Sequence, residues 1–96
     1  MEARKKLVFI DVEKITSRVA LHVTLKEALA FPDFYGKNWA AFWDAITGLV
    51  ELPEKIVFKN WQAFVQNLPE EAEYLKRILA DFNHKHPEWK TEVIYN

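Results

Sequence analysis

Three short apolar runs, separated by stretches with helical periodicity, restrict the folds open to this chain. The runs are residues 6–11 (KLVFID), 55–59 (KIVFK) and 90–95 (KTEVIY), and each has the length of a short buried strand. Helical crossovers between consecutive strands join them in parallel and with right-handed connections. The pattern therefore predicts an α/β fold built on a parallel sheet.

The helices between these runs are predicted from caps and apolar spacing. Ser17 or Thr16 can begin the first helix, which runs to residue 29 or 30. Asn60 can begin a short helix, and Pro69 opens the last long one at an early helical position. The residues expected to face the core from these three helices are Leu21, Leu25, Ala28, Leu29, Trp61, Phe64, Leu68, Leu75, Ile78, Leu79 and Phe82.

The most unusual stretch of the chain is FPDFYGKNWAAFWDAITG, which has the composition of a turn leading into a short helix. Pro32 prevents a helix from running through the turn, and Gly36 is expected to free the backbone at the bend. Asn38 is a favoured N-cap residue, and Gly48 is a natural stop just after a helix. The sequence thus predicts a helix at about residues 39–47.

This predicted helix has two unequal faces. Phe42, Ile46 and Leu49 recur at helical spacing and are expected to lie in the core. The other face of the helix carries two tryptophans, Trp39 and Trp43, beside the carboxylate of Asp44, and aromatic side chains next to a charge are typical of interface hot spots. The alternative is that both tryptophans are half-buried under neighbouring loops and that the carboxylate is merely solvated. The residues of this second face are Trp39, Ala40, Trp43, Asp44 and Thr47.

The composition is that of one small domain. The chain has 96 residues, half of them apolar, and no cysteine. Without cysteine there is no disulfide, no thiol nucleophile and no cysteine-based zinc site, which suits a reducing cytoplasm. No apolar run approaches the roughly 20 residues of a membrane span, so no membrane partner is expected. The short apolar run after the basic start is expected to be a strand rather than a secretion signal.

The charge is unevenly distributed along the chain. Between residues 31 and 54 one lysine stands against four acidic side chains, a balance of −3, although the whole chain carries only −1. A nucleic-acid-binding surface requires the opposite sign. The acidic stretch therefore argues against a nucleic-acid partner and favours a basic protein partner.

Few residues have the spacing of a catalytic or metal site. Asp11 follows the first strand, where acids of α/β folds can be catalytic, but capping a turn is the simpler role. His22 is expected to be a hydrogen-bonded structural residue. His84 and His86 lie two residues apart and on different faces of a helix, so no metal or other cofactor is expected. An enzyme would require Asp11 and Asp44 to converge at one edge of the sheet.

The stretch FPDFYGKNWAAFWDAITG resembles the binding segment of the barstar family of intracellular ribonuclease inhibitors. The matching elements are Tyr35-Gly36-x-Asn38, Trp43-Asp44 and Thr47-Gly48, and the similarity extends without a gap back to residue 14 and more loosely to the C-terminus. The resemblance implies a three-stranded parallel sheet in the order 1-2-3, with about four helices packed mainly on one side. It also implies that residues 1–96 form a single barstar-like domain.

The same resemblance implies a stoichiometric inhibitor without cofactor or turnover, and not an enzyme. Asp44 would occupy the phosphate position of a cationic ribonuclease cleft, with Tyr35, Trp39 and Trp43 excluding water around it. The implied partner is a basic secreted ribonuclease or related nuclease toxin, against which this chain would be a cytoplasmic antitoxin or immunity protein, monomeric when free. The positions carried over to partner binding are Phe34, Tyr35, Gly36, Asn38, Trp39, Ala40, Trp43, Asp44, Thr47, Gly48 and Asp81.

Four positions depart from the barstar pattern. The family has acids where this chain has Lys37 and Ala40, a tryptophan where it has Leu49, and a tyrosine where it has Phe34. With fewer acids, weaker binding of barnase itself is expected, and the identity of the partner is not carried over. The alternatives are the carboxylate-dependent enzyme described above and a generic interaction module whose tryptophans bind some other protein.

Overall fold

The structure is a computed structural model that describes residues 4–96. Its elements in chain order are β1 (Val8–Asp11), α1 (Arg18–Leu29), α2 (Trp39–Gly48), β2 (Lys55–Lys59), α3 (Trp61–Asn67), α4 (Pro69–Lys85), a 3₁₀ turn (Pro87–Trp89) and β3 (Glu92–Tyr95).

The three strands form one parallel sheet in the order β1-β2-β3, which confirms the predicted fold class and strand order. Along one row of the sheet, Ile10 is paired with Phe58 and Phe58 with Tyr95. Ile10 and Phe58 are buried, whereas Phe9, which points to the opposite face of β1, is 60% exposed. The helices therefore cover mainly one face of the sheet.

Two strands begin later than the apolar runs that predicted them. Parallel pairing starts at Val8, opposite Ile56, and at Glu92, opposite Lys55. The first two residues of the runs at 6–11 and 90–95 thus precede the paired strands.

The first two helices begin at side-chain caps. Ser17 rather than its neighbour caps α1, because its hydroxyl accepts a hydrogen bond from the backbone of Ala20 at 3.1 Å. Asn38 caps α2 in the same way, accepting from the backbone of Ala41 at 2.7 Å. Ala30 ends α1 in the left-handed conformation, with φ of 59°. Ala30 and Asn38 therefore mark the beginning and the end of the turn between α1 and α2.

Neither glycine of this turn and helix uses its conformational freedom. The left-handed position in the turn belongs to Lys37, with φ of 54°, and not to Gly36. A Cβ at Gly36 would instead lie 3.2 Å from the Cβ of Ala41, a tight contact that Ala41 would have to relieve by moving a few tenths of an ångström, so space favours glycine there. Gly48 is the last residue of α2 rather than the stop after it, and a Cβ there would meet nothing within 4 Å.

The core lies between the sheet and the helices. Of the eleven side chains predicted to face it from α1, α3 and α4, all are buried except Ala28 and Leu68, which are half-buried. On α2, Phe42 and Ile46 are buried as predicted, but Leu49 is 49% exposed. That prediction was wrong: Leu49 follows the last residue of α2 as its C-cap, and although its backbone N–H still donates to the Ala45 carbonyl, its side chain is left open to solvent. Within residues 4–96, no helix combines the length and apolar character that a membrane crossing requires.

Candidate partner-binding surface

Asp44, in the C-terminal half of α2, is the centre of the candidate surface. Its side chain is exposed, and none of the ion pairs found among residues 4–96 includes its carboxylate. Ala40 and Thr47, four residues before it and three after it, lie on the same helix face and are exposed. The Thr47 hydroxyl donates to the Trp43 carbonyl at 2.7 Å. The helix therefore presents an unpaired negative charge to solvent.

The indole of Trp43 is held against α4. Its ring meets Phe82 edge-on, with 6.5 Å between the ring centroids. The ammonium of Lys85 lies 5.3 Å from the centroid of the same indole ring, within cation–π range. The ring is half-buried, so it borders Asp44 in one fixed orientation.

Trp39 is engaged more fully than Trp43. Its indole stacks on Tyr74 of α4, with 5.1 Å between centroids and 21° between planes. It also meets His22 and Phe42 edge-on at 4.7 and 5.5 Å. Its Nε1 donates to the carboxylate of Glu71 at 2.6 Å. The half-burial foreseen for both tryptophans is therefore present, but helices rather than loops supply most of the cover.

Glu71, in the first turn of α4, connects three helices. One carboxylate oxygen accepts from Trp39 of α2, and the other accepts from Arg18 of α1 at 2.6 Å. Its side chain is only 12% exposed. Burial raises the pKa of the Glu71 carboxyl, but the hydrogen bonds from Trp39 and Arg18 outweigh it, so the pKa lies below its ordinary value. Glu71 is thus ionised at neutral pH and holds Trp39 in place.

His22 and Tyr35 form a buried polar pair beneath this network. The Tyr35 hydroxyl and His22 Nδ1 are hydrogen-bonded at 2.6 Å, and both side chains are buried. His22 is therefore a hydrogen-bonded interior residue, as predicted. Tyr35 is only 4% exposed, so the expectation that its ring shields Asp44 from water is not met. Its ring packs on Phe31, 4.8 Å between centroids, and supports the turn from within.

The turn before α2 contributes one large exposed ring. Phe34 is 75% exposed, although Tyr35, the next residue, is buried. The Asn38 side-chain amide donates to the Gly36 carbonyl at 3.2 Å while its oxygen caps the helix. The cap therefore also closes the turn and fixes where Phe34 leaves it.

Two further candidate residues lie at the border of the surface. Gly48 is exposed at the end of α2, and Asp81 is exposed on α4. Asp81 immediately precedes Phe82, whose ring contacts Trp43. It therefore lies on the turn of α4 that packs against α2.

Asp11 has the turn-capping role that was the simpler prediction for it. One of its carboxylate oxygens accepts from the backbone of Glu13 and from the side chain of Asn60, both at 3.0 Å. The hydrogen bond from Asn60 is the main cause that lowers the pKa of Asp11, followed by the one from Glu13. In the part of the chain that the structure describes, no group of three His, Cys, Asp or Glu side chains is placed to hold a metal ion.

Sequence reasoning missed the two α4 residues that fix Trp39. Glu71 looked only like an acid that complements a helix dipole, and Tyr74 was not singled out. The hydrogen bond joins residues 32 positions apart. No local pattern links such positions, so only the tertiary structure reveals the contact.

Comparison with protein families decides the assignment of the fold. The family described as Barstar (barnase inhibitor) matches residues 5–95. This chain belongs to the barstar family. It is also similar to the "Putative ribonuclease inhibitor YrdF" of Bacillus subtilis (strain 168), with 44% identity over 55 residues. That match covers 57% of this chain, and the chain spans only 60% of the length of that relative.

The departures from the barstar pattern all lie on the surface. Lys37, Ala40, Leu49 and Phe34 are exposed. Exposed substitutions away from caps and buried contacts have small effects on stability. These differences are therefore compatible with the barstar fold of this chain.

Proposed function

We propose that this member of the barstar family is a stoichiometric inhibitor of a ribonuclease with a basic active site, and not an enzyme. On this proposal Asp44 occupies the position of the substrate phosphate. The observation that carries it is the exposed Asp44 carboxylate, unpaired within residues 4–96, on a helix whose flanking side chains are fixed.

Electrostatics favours this pairing. A ribonuclease cleft is lined with cationic groups that stabilise a phosphate in its transition state. A carboxylate inserted there gains charge-assisted hydrogen bonds, which are shorter and stronger than neutral ones. The balance of −3 over residues 31–54 would also draw a basic enzyme towards α2.

The rigidity of α2 lowers the entropic cost of docking. The helix is capped by Asn38, Trp39 is held by Glu71, and Trp43 is held by Phe82. Side chains that are already ordered lose little freedom when a partner covers them. The surface therefore resembles a preformed binding site more than a flexible segment.

The proposed partner is a secreted, basic, barnase-like ribonuclease or a related nuclease toxin. Against it, the chain acts in the cytoplasm as an antitoxin or immunity protein. It does so as a monomer that consists of a single domain. Its proposed contact surface is formed by the candidate residues that are exposed or half-buried, with Asp81 at the rim. These are Phe34, Gly36, Asn38, Trp39, Ala40, Trp43, Asp44, Thr47 and Gly48. Tyr35 supports this surface from inside. The enzyme alternative is disfavoured because the Asp11 carboxylate already satisfies a turn and Asn60.

The experiment mixes the purified chain with a panel of barnase-like ribonucleases and measures residual RNA cleavage at low and moderate salt. We expect inhibition of at least one enzyme, with faster association at low salt. Asp44→Ala should weaken inhibition by about 100-fold or more, since the enzyme's buried cations then lose their partner. Glu27→Ala, a matched loss of an exposed helical acid on α1, should stay within about twofold.

Two results would count against the proposal in different ways. If the parent chain inhibits no enzyme of the panel, the inhibitor function is wrong. If it inhibits but Asp44→Ala is equally potent, inhibition is real and the phosphate-mimic mechanism is wrong.

A further inference from the structure

A small pocket opens beside the end of α2, away from the Trp39 network. It has a volume of about 170 Å³. Its apolar lining includes Ile46, Leu52 and Phe82, and its other walls include Thr47 and Trp89. Trp89 is 46% exposed although it belongs to this wall. An indole left that open beside an apolar recess is a feature that the proposed function does not use.

The walls of this pocket are held together by Arg4. Its Nε donates to the Leu52 carbonyl at 2.9 Å, and its Nη2 lies 3.1 to 3.2 Å from the carbonyls of Pro53, Trp89 and Lys90. Its guanidinium also lies 5.9 Å from the centroid of the Trp89 ring. One side chain thus ties the segment after α2 to the segment after α4. The pocket is therefore a built feature and not a gap between independent loops.

The size of the pocket selects its ligand. Sites for metabolites and cofactors usually measure roughly 300 to 1,000 Å³, so 170 Å³ is too small for them. An apolar cavity of about 150 Å³ accommodates one benzene molecule. Phe82, His86 and Trp89 supply ring edges and faces around the space, and aromatic rings pack favourably against such neighbours. The pocket therefore fits one aromatic side chain.

The mouth of the pocket is continuous with the Asp44 surface. Thr47, which lines it, is three residues after Asp44 and on the same helix face, about 4.5 Å further along the axis. Phe82, on its floor, contacts the ring of Trp43. A protein that covers Asp44 and Trp43 would thus also cover the mouth of the pocket.

We propose that this pocket receives an aromatic side chain of the ribonuclease that Asp44 binds, which makes it a second contact site one helical turn away. This inference rests on the proposed function. Glu51, exposed at the same pocket, offers a carboxylate to the hydroxyl of a tyrosine or the N–H of a tryptophan. The pocket would then help to decide which nucleases are bound, because only those with a ring at this position fill it.

The first test needs no nuclease. The full chain, labelled with ¹⁵N, is titrated with p-cresol and separately with butylguanidinium, the latter as a stand-in for arginine. We expect p-cresol, at millimolar concentrations, to shift the amide of Leu52 and the indole N–H of Trp89, and Trp89→Ala to remove the Leu52 shift. The proposal is overturned if these signals do not move, or if butylguanidinium moves them more than p-cresol does.

The second test uses a nuclease that the parent chain inhibits. Trp89→Ala removes a wall of the pocket, and Val50→Phe, at a half-buried lining position, fills it. Both should weaken inhibition about tenfold through faster dissociation, as loss of an interface anchor does. Val19→Ala, a loss of a 65% exposed side chain on α1, is the control and should change nothing. Thermal unfolding of each variant checks that it is folded.

The outcomes separate this inference from the function on which it rests. If Asp44→Ala loses inhibition while folded Trp89→Ala and Val50→Phe inhibit like the parent, the pocket plays no part and the inhibitor function stands. If the parent inhibits no ribonuclease, the function and the inference both fall. If only one of the two pocket variants is folded, its inhibition alone decides whether the pocket contributes to binding.

Discussion

The two ends of the exposed face of α2 differ in how far the protein has already used them. At the first turn, Trp39 stacks on Tyr74, meets His22 edge-on and donates a hydrogen bond to Glu71. Five residues later, Asp44 is exposed and joins none of the ion pairs found among residues 4–96. One face of one helix therefore carries a side chain held by internal contacts and another that joins no ion pair in the described part of the chain.

The difference originates in α4 and not in α2. The N-terminal half of α4 supplies Glu71 and Tyr74 to the indole of Trp39, whereas its C-terminal half supplies Phe82 and Lys85, which both contact Trp43 beside Asp44. Tertiary neighbours thus decide which polar or aromatic residue remains available. We therefore expect mutations at the two ends to separate stability from binding.

The largest effect should come from truncating the two ends in turn. Trp39→Ala should lower the free energy of unfolding by about 2–4 kcal/mol, because it empties a half-buried site and leaves the Glu71 carboxylate short of a donor. Asp44→Ala should change it by less than about 0.5 kcal/mol, since nothing within residues 4–96 pairs with it. Urea denaturation at pH 7, followed by circular dichroism, measures both.

Two results from this pair of variants would contradict the contrast between Trp39 and Asp44. If Asp44→Ala destabilises the fold as much as Trp39→Ala does, then Asp44 has an internal role and is not a free charge. If Trp39→Ala leaves stability unchanged, then the indole is a surface residue in solution and the network around Glu71 does not hold it.

A smaller effect should isolate the hydrogen bond between Glu71 and Trp39. Trp39→Phe keeps an aromatic ring and removes the N–H donor, while Glu71→Gln keeps the shape and removes the charge. We expect each to cost about 1–2 kcal/mol of unfolding free energy, as for hydrogen bonds to charged groups. The double variant should cost less than the sum, with a coupling of about 0.5 kcal/mol or more. Additive costs would show that the 2.6 Å contact contributes no net stability.

Much of this fold could be derived from the sequence. The apolar runs gave the three strands, and caps with apolar spacing gave the four helices to within a few residues. The strand order came from the resemblance to the barstar family, because periodicity does not specify which strands are neighbours. Both the order and the family are confirmed by the structure and the family comparison.

The parts that could not be derived depend on distant contacts or exact geometry. Tyr35 was expected to contact the partner and exclude water around Asp44, but it is buried and its hydroxyl is hydrogen-bonded to His22. Gly36 was assigned a backbone role, but the left-handed position is taken by Lys37, and what favours glycine is the tight approach to the Cβ of Ala41. Leu49 was placed in the core because a helical stripe was extended one residue beyond the end of the helix. Spacing along the sequence predicts which side chains lie on the same face of a helix. It does not predict which other parts of the chain cover that face.

The smallest expected effect is a pH dependence of stability. It comes from His22 and Glu71, which contact Trp39 at the first turn of α2, the engaged end of the helix. Burial lowers the pKa of His22 below its ordinary 6.5, with Glu71 opposing this shift and Arg18 adding to it. Because the unfolded chain takes up the proton first, unfolding free energy should fall as the pH drops below 6.5, by no more than about 1.4 kcal/mol per pH unit for one proton. Below about 4.5 the lowered pKa of Glu71 adds a second loss in the same direction.

Urea denaturation of the parent chain and of His22→Gln at several pH values between 7 and 5 tests this dependence. The parent should lose stability across this window, and the variant, though less stable throughout, should show a flatter profile. Burial explains the direction, since His22 is fully buried and its Nε2 has no hydrogen-bond partner among residues 4–96, so a charged imidazolium would be poorly solvated there. Asp44→Ala should keep the slope of the parent because its carboxylate is exposed and outside this network. If the unfolding free energy of the parent and of His22→Gln falls equally with pH, then His22 does not contribute to the pH dependence. The contact of Trp39 with Glu71 would then be the part of this network that remains to be tested.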